Sequence, residues 1–115
     1  MLNLNKIEAA GNLTRDIEVI TPESGKAFSK GTIAVNDLKN RESVEYIDFV
    51  AFGEVGANLA KVTEKGNNVL IEGRLSVRPY EKDGKKRKST EVIVESFQAV
   101  TRKAKAPAAQ VEEVL

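Results

Sequence analysis

Side chains able to do covalent chemistry are scarce in this sequence. Its 115 residues include no Cys and no His. Thiolate nucleophiles, imidazole general bases, disulfide staples and the usual zinc ligand sets are therefore excluded. Glu45 with Asp48, and Glu91 with Glu95, are carboxylate pairs of a kind used in acid–base catalysis, but acidic residues on an exposed strand are ordinarily surface charges. The segment SGKAFSKG (24–31) has two glycines without the spacing or strand-to-helix context of a phosphate loop. The reading is a non-enzymatic protein with no cofactor and no metal.

Non-covalent chemistry is better supplied. Tyr46, Phe52 and Tyr80 offer flat π-faces, and EKDGKKRK (81–88) gathers Lys82, Lys85, Lys86, Arg87 and Lys88. An unstacked base laid on such a ring contributes on the order of 1–3 kcal/mol whatever its identity. Cations alongside neutralise phosphates and release counterions. The combination suits single-stranded nucleic acid, whereas the bases of a duplex are already stacked. Two plainer readings stand beside it: rings packed in a subunit interface or under a loop, and a Lys-rich hairpin solvated for solubility. Phe28, Phe49 and Phe97 read as core.

Total charge gives a misleading first impression. The chain has 18 Lys+Arg against 17 Asp+Glu, a net of +1. Residues 1–73 carry 8 basic and 11 acidic groups, a net of −3; residues 74–105 carry 10 and 4, a net of +6; residues 106–115 carry only Glu112 and Glu113, a net of −2. Fields beyond about 8–10 Å are screened, so a local basic stripe binds anions even on a neutral protein.

The elements that must position these groups are short strands. Lys6–Leu13, continued by Ile17–Ile20, reads as the first; Ala27–Val35 as the second; Glu45–Phe52 as the third. Residues 54–65 switch period, with Val55, Leu59 and Val62 on one stripe of a short helix ended by Gly66. Val69–Val77 and Ser89–Val100 are the fourth and fifth strands, joined by a basic loop with an Asp83-Gly84 turn. The order β-β-β-α-β-β predicts a mostly all-β protein, a five-stranded OB-fold barrel with one short helix between strands 3 and 4. An SH3-like or ferredoxin-like domain is also compatible with the pattern. On the third strand, pleat parity separates Tyr46, Asp48, Val50 and Phe52 from Ile47, Phe49 and Ala51. If the latter set fills the barrel, Tyr46 and Phe52 face outward. The same parity places Arg74, Ser76 and Arg78 outward on the fourth strand, with Tyr80 in phase unless Pro79 breaks it.

With 41% hydrophobic residues, one domain over 1–103 is expected, followed by a low-complexity, mobile tail over 104–115. No apolar run reaches the roughly 18 residues of a membrane span, and the first residues lack a signal layout. A soluble, cytoplasmic protein with no membrane partner is the expectation.

Three segments go further. NKIEAAGNLTRDIEV, EYIDFVAFGEVGANLAKVTEKG and NVLIEGRLSVRPYEKDGKKRKSTEVIVE resemble, in order and spacing, the bacterial and phage single-stranded DNA-binding protein family. The resemblance covers roughly residues 4–101 and implies an OB-fold homotetramer. Such an assembly wraps single-stranded DNA without sequence preference in replication, recombination and repair. It implies base stacking at Tyr46, Phe52 and Tyr80 and phosphate contacts at Lys6, Lys65 and Arg78; charge adds Arg74 and Lys85, Lys86, Arg87 and Lys88. An adaptor for replication or recombination proteins is the alternative. The chain departs from the family in having no Trp, in Leu38 or Lys39 where many members have an aromatic, in Glu54 after Phe-Gly, and in the outward Asp48. Its tail lacks the long linker and acidic Pro-Phe tip, leaving Glu112, Glu113, Val114 and Leu115 as a reduced docking tip or a plain end. This short form looks more like a phage or accessory member.

Overall fold

Period-two placement of apolar side chains builds most of the molecule. The computed structural model describes residues 1–40 and 42–100. In chain order these form β1 (Ile7–Leu13), β2 (Glu18–Ile20), β3 (Phe28–Asn36), β4 (Val44–Phe52), α1 (Gly53–Val62), β5 (Asn68–Lys82) and β6 (Lys85–Val100). Ladders run β1–β5, β5–β6, β6–β4, β4–β3 and β3–β1, so five strands close on themselves, and β2 extends the outer edge of β3. All are antiparallel except β4–β6. This ring, with its helix between β4 and β5, is the OB-fold barrel, and it decides between the folds that pattern alone left open.

Closure depends on β1 serving two neighbours. Ile7 to Asn12 pair with β5, and the strand end turns to β3 through Asn12↔Ala34 and Leu13↔Ile33. A Cβ at Gly11 would collide with the Ala34 carbonyl, so glycine is what lets the two backbones approach. On β6 the register jumps from Glu72↔Ser96 to Gly73↔Val94, which leaves Glu95 unopposed in a bulge. The extra residue shifts the parity: Val92 and Val94 turn inward before it, Phe97 and Ala99 after it.

The core is Leu13, Ile33, Phe49, Ala51, Leu59, Val69, Ile71, Val92, Val94 and Ala99. Leu59 of α1 is fully buried, a contact contributing about 1.5–3 kcal/mol. Ser29 Oγ donates to the Gly56 carbonyl at 2.9 Å and ties β3 to the helix. The helix ends earlier than its sequence pattern predicts. Thr63 flanks its last turn and its hydroxyl donates to the Leu59 carbonyl at 2.6 Å, while Gly66 lies in the following turn.

Two expectations are corrected. The basic stretch is no loop: β5 and β6 continue through Pro79↔Lys88 to Lys82↔Lys85. They are joined by Asp83 (φ 54°) and Gly84 (φ 76°), the paired positive φ values of a type I′ hairpin turn. Phe28 is no core residue; it lies half-buried outside the core cluster, directly opposite Phe52. Among the described residues no helix is long and apolar enough to cross a membrane.

Candidate nucleic-acid interface

The outward face of the β3–β4 ladder is a series of five rungs: Phe28↔Phe52, Lys30↔Val50, Thr32↔Asp48, Ala34↔Tyr46 and Asn36↔Val44. Successive rungs on one face are about 6.8 Å apart. Inward between them point Phe49 and Ala51, both buried, with Ile47 packed against the core, as the parity of β4 predicts. Tyr46 is 68% exposed, Phe52 49% and Tyr80 45%. Val50 is buried despite its outward parity.

Phe52 ends β4 and flanks the first turn of α1, where Gly53 turns the chain at φ 63°. Its ring meets Phe28 with centroids 5.8 Å apart and planes inclined at 43°, a tilted pair of the kind aromatic quadrupoles favour. The rung beside it continues across the sheet as Lys30↔Val50↔Ile93↔Arg74, running through β3, β4, β6 and β5. A cation thus stands at each end of an apolar row, with three strand spacings of about 4.8 Å between their backbones.

The long hairpin extends this face. Arg78, Tyr80 and Lys82 share one side with their partners Ser89, Arg87 and Lys85; Pro79 and Glu81 share the other with Lys88 and Lys86. Parity therefore divides the basic cluster. Lys85 and Arg87 stand on the Tyr80 side, and Lys86 and Lys88 stand on its back. A shallow depression of about 390 Å³ is lined by Arg78, Pro79, Tyr80 and Ser89. Arg78 Nη2 donates to Glu91 Oε1 at 2.7 Å, with side chains 67% and 14% exposed. That guanidinium is already engaged, which charge counting does not reveal.

The other cations named from sequence lie apart. Lys65 belongs to the α1–β5 connection, where its N–H donates to Asp16 Oδ1 at 2.7 Å and the Gly66 N–H donates to the Leu13 carbonyl at 2.9 Å. This is the end of β5 remote from the hairpin tip; the fourteen steps from Asn68 to Lys82 span about 46 Å. Lys6 stands near Glu72, whose carboxyl is held below its usual range by a hydrogen bond with Glu8 first, then by one from Ser96, with Lys6's charge adding to both. Glu112, Glu113, Val114 and Leu115 lie outside the described residues.

Phe28 and Lys30 are missing from the sequence-derived set. Counting back by twos from the apolar pair Val35 and Ile33 lands on Gly31 and Ser29, which leaves Phe28 and Lys30 on the opposite face. Residue size pulled Phe28 into the core assignment, although the period excluded it.

Comparison with known proteins follows the same lines. Residues 4–100 match the model of the single-strand binding protein family. A single-stranded DNA-binding protein of Clostridium perfringens is 35% identical over 96 residues, covering 82% of this chain and 64% of that protein. One from Fusobacterium nucleatum is 36% identical over 101 residues, covering 83% and 66%. Single-stranded DNA-binding protein 2 of Streptococcus agalactiae is 33% identical over 104 residues, covering 87% and 79%. The match thus spans just under two thirds of the length of the clostridial and fusobacterial relatives.

Proposed function

This chain belongs to the single-strand binding protein family, and from that premise we propose that it binds single-stranded DNA across the outer face of its barrel. Bases stack on Tyr46, on the Phe52–Phe28 pair and on Tyr80. Phosphates meet Lys30, Arg74, Arg78, Lys85 and Arg87, with Lys6, Lys65, Lys86 and Lys88 as outlying contacts along a wrapped strand. Stacking accepts any base face, so recognition is of the single strand and not of a particular sequence. The protein performs no catalysis; it protects the strand, removes its hairpins and presents it to replication, recombination and repair enzymes in the cytoplasm.

The observation that carries this reading is the exposure of three aromatic rings on one continuous, cation-flanked sheet face. Isolated rings of that size are ordinarily covered, and an exposed set rimmed by charge marks a binding surface. The direct test is a titration with a single-stranded oligonucleotide and its duplex, followed by the fluorescence of the two Tyr residues. Saturable quenching by the single strand and far weaker binding to the duplex are expected; equal response to both, or none to either, refutes the proposal. A homotetramer is the assembly this reading takes, which light scattering checks: a stable monomer contradicts it. Residues 112–115 serve as a reduced docking tip for partner proteins, so their deletion should leave DNA affinity unchanged.

A further inference from the structure

We propose that Asp48 senses the bases lying on the barrel face, favouring those that offer an unhindered N–H, cytosine and guanine above all, over thymine and uracil. The inference rests on the single-strand reading above and adds a compositional bias to it. Asp48 is exposed on β4 and stands one rung from Tyr46. Thr32 Oγ1 donates to its Oδ1 at 2.7 Å, which fixes the direction of the carboxylate. Among the described residues Oδ2 accepts no hydrogen bond and Asp48 forms no ion pair, although Lys30 occupies the next rung.

A carboxylate has acceptors and no donor, so a group held in this position selects among bases by their edges. It repels phosphate, which turns the backbone away and the bases toward this rung. The cytosine N4 amine has a C–H on one side, so an oxygen reaches it without meeting another acceptor. Guanine presents N1–H and N2–H side by side, matching the two oxygens of one carboxylate. Thymine and uracil carry their single N3–H between two carbonyl oxygens, both of which repel Asp48. One such hydrogen bond gained against one hindered corresponds to about a two- to tenfold difference in affinity.

Oligo-dC and oligo-dU of equal length isolate the effect, since the two bases share a ring and differ in the edge groups. Anisotropy titrations of the full chain with labelled forms of each are expected to show oligo-dC bound about two- to tenfold more tightly. In Asp48→Ala the ratio should fall to about one while oligo-dU affinity stays or rises. Asp48→Asn retains an acceptor for Thr32 and turns an amide N–H toward the base, so its ratio should drop below one and favour the O4 of uracil. This conservative variant also guards against a failure of Asp48→Ala to fold. A wild-type ratio of one or less, or a ratio unchanged in the Asn variant, overturns the inference while leaving single-strand binding intact. Failure of the wild type to bind either oligonucleotide overturns both.

Discussion

Truncating Phe52 and Phe28, singly and together, tests whether the two rings act as one platform. Phe52 is 49% exposed, so roughly 100 Å² of its surface is in contact, and Phe52→Ala should lower stability by about 2.5 kcal/mol as an upper value. A base stacked on the ring adds about 1–3 kcal/mol to binding, which is about 5- to 150-fold in Kd. Phe28 meets the same ring at 5.8 Å and 43°, and such pairs contribute about 0.5–1.5 kcal/mol beyond area burial. If Phe28 orients Phe52 for stacking, Phe28→Ala weakens oligo-dT binding, and the double variant falls short of the sum of the singles by a similar amount. Binding is read by anisotropy with labelled oligo-dT, and folding by thermal melting followed with circular dichroism. Unchanged affinity in a folded Phe52→Ala protein would remove the ring from the interface. Strict additivity in the double variant would refute the platform.

Three further outcomes are expected. Binding should weaken with salt at about −0.7 in log–log slope per phosphate contacted; replacing Lys85 and Arg87 by Ala should flatten this slope more than replacing Lys86 and Lys88, and equal effects would sink the division of the hairpin into two sides. Glu91→Gln loosens Arg78 from an ion pair whose guanidinium is exposed and whose carboxylate is half-buried, a contact of about 1 kcal/mol, so affinity should rise up to about fivefold with Arg78 present and not at all in an Arg78→Ala background; titration of the four proteins checks this. Gly84→Ala forces a φ of 76° on a residue with a Cβ, costing about 1 kcal/mol; amide exchange should quicken in the hairpin and stay slow at Val69 and Ile71, and a uniform change would mean that the turn is coupled to the whole barrel.

The sequence discloses the barrel where its strands alternate cleanly. On β4 the inward set Ile47, Phe49 and Ala51 is apolar throughout, so Tyr46 and Phe52 fall outward by parity alone. On β3 the inward set includes Ser29 and Gly31, a hydroxyl bonded to the Gly56 carbonyl and a residue without a side chain. The polarity signal there is inverted, and Phe28 passes for a core residue. The hairpin is obscured for another reason: from Arg78 to Thr90 both sides are exposed, so no alternation of buried apolar and exposed polar residues reports the period, and only Asp83-Gly84 betrays the turn. The bulge at Glu95 and the Arg78–Glu91 pair arise from long-range pairing, which no local window contains.

The length of that hairpin has a kinetic consequence. Val77 has the inward parity of Leu75 yet is 48% exposed, so the barrel ends there and the last rungs of β5 and β6 project into solvent. At the tip Lys82 lies directly opposite Lys85, and like charges so placed repel. An approaching anionic strand relieves that repulsion, and it does so before it reaches Tyr46 or the Phe52–Phe28 pair on the barrel. The projecting arm therefore acts on encounter, raising the association rate through long-range attraction that salt suppresses. The rings act later and set how long the complex lasts. Capture thus falls to the cations of the arm and retention to the rings of the barrel, with Tyr80 on the arm joining the two; mutation of the tip cations and of the barrel rings should vary the two rates separately.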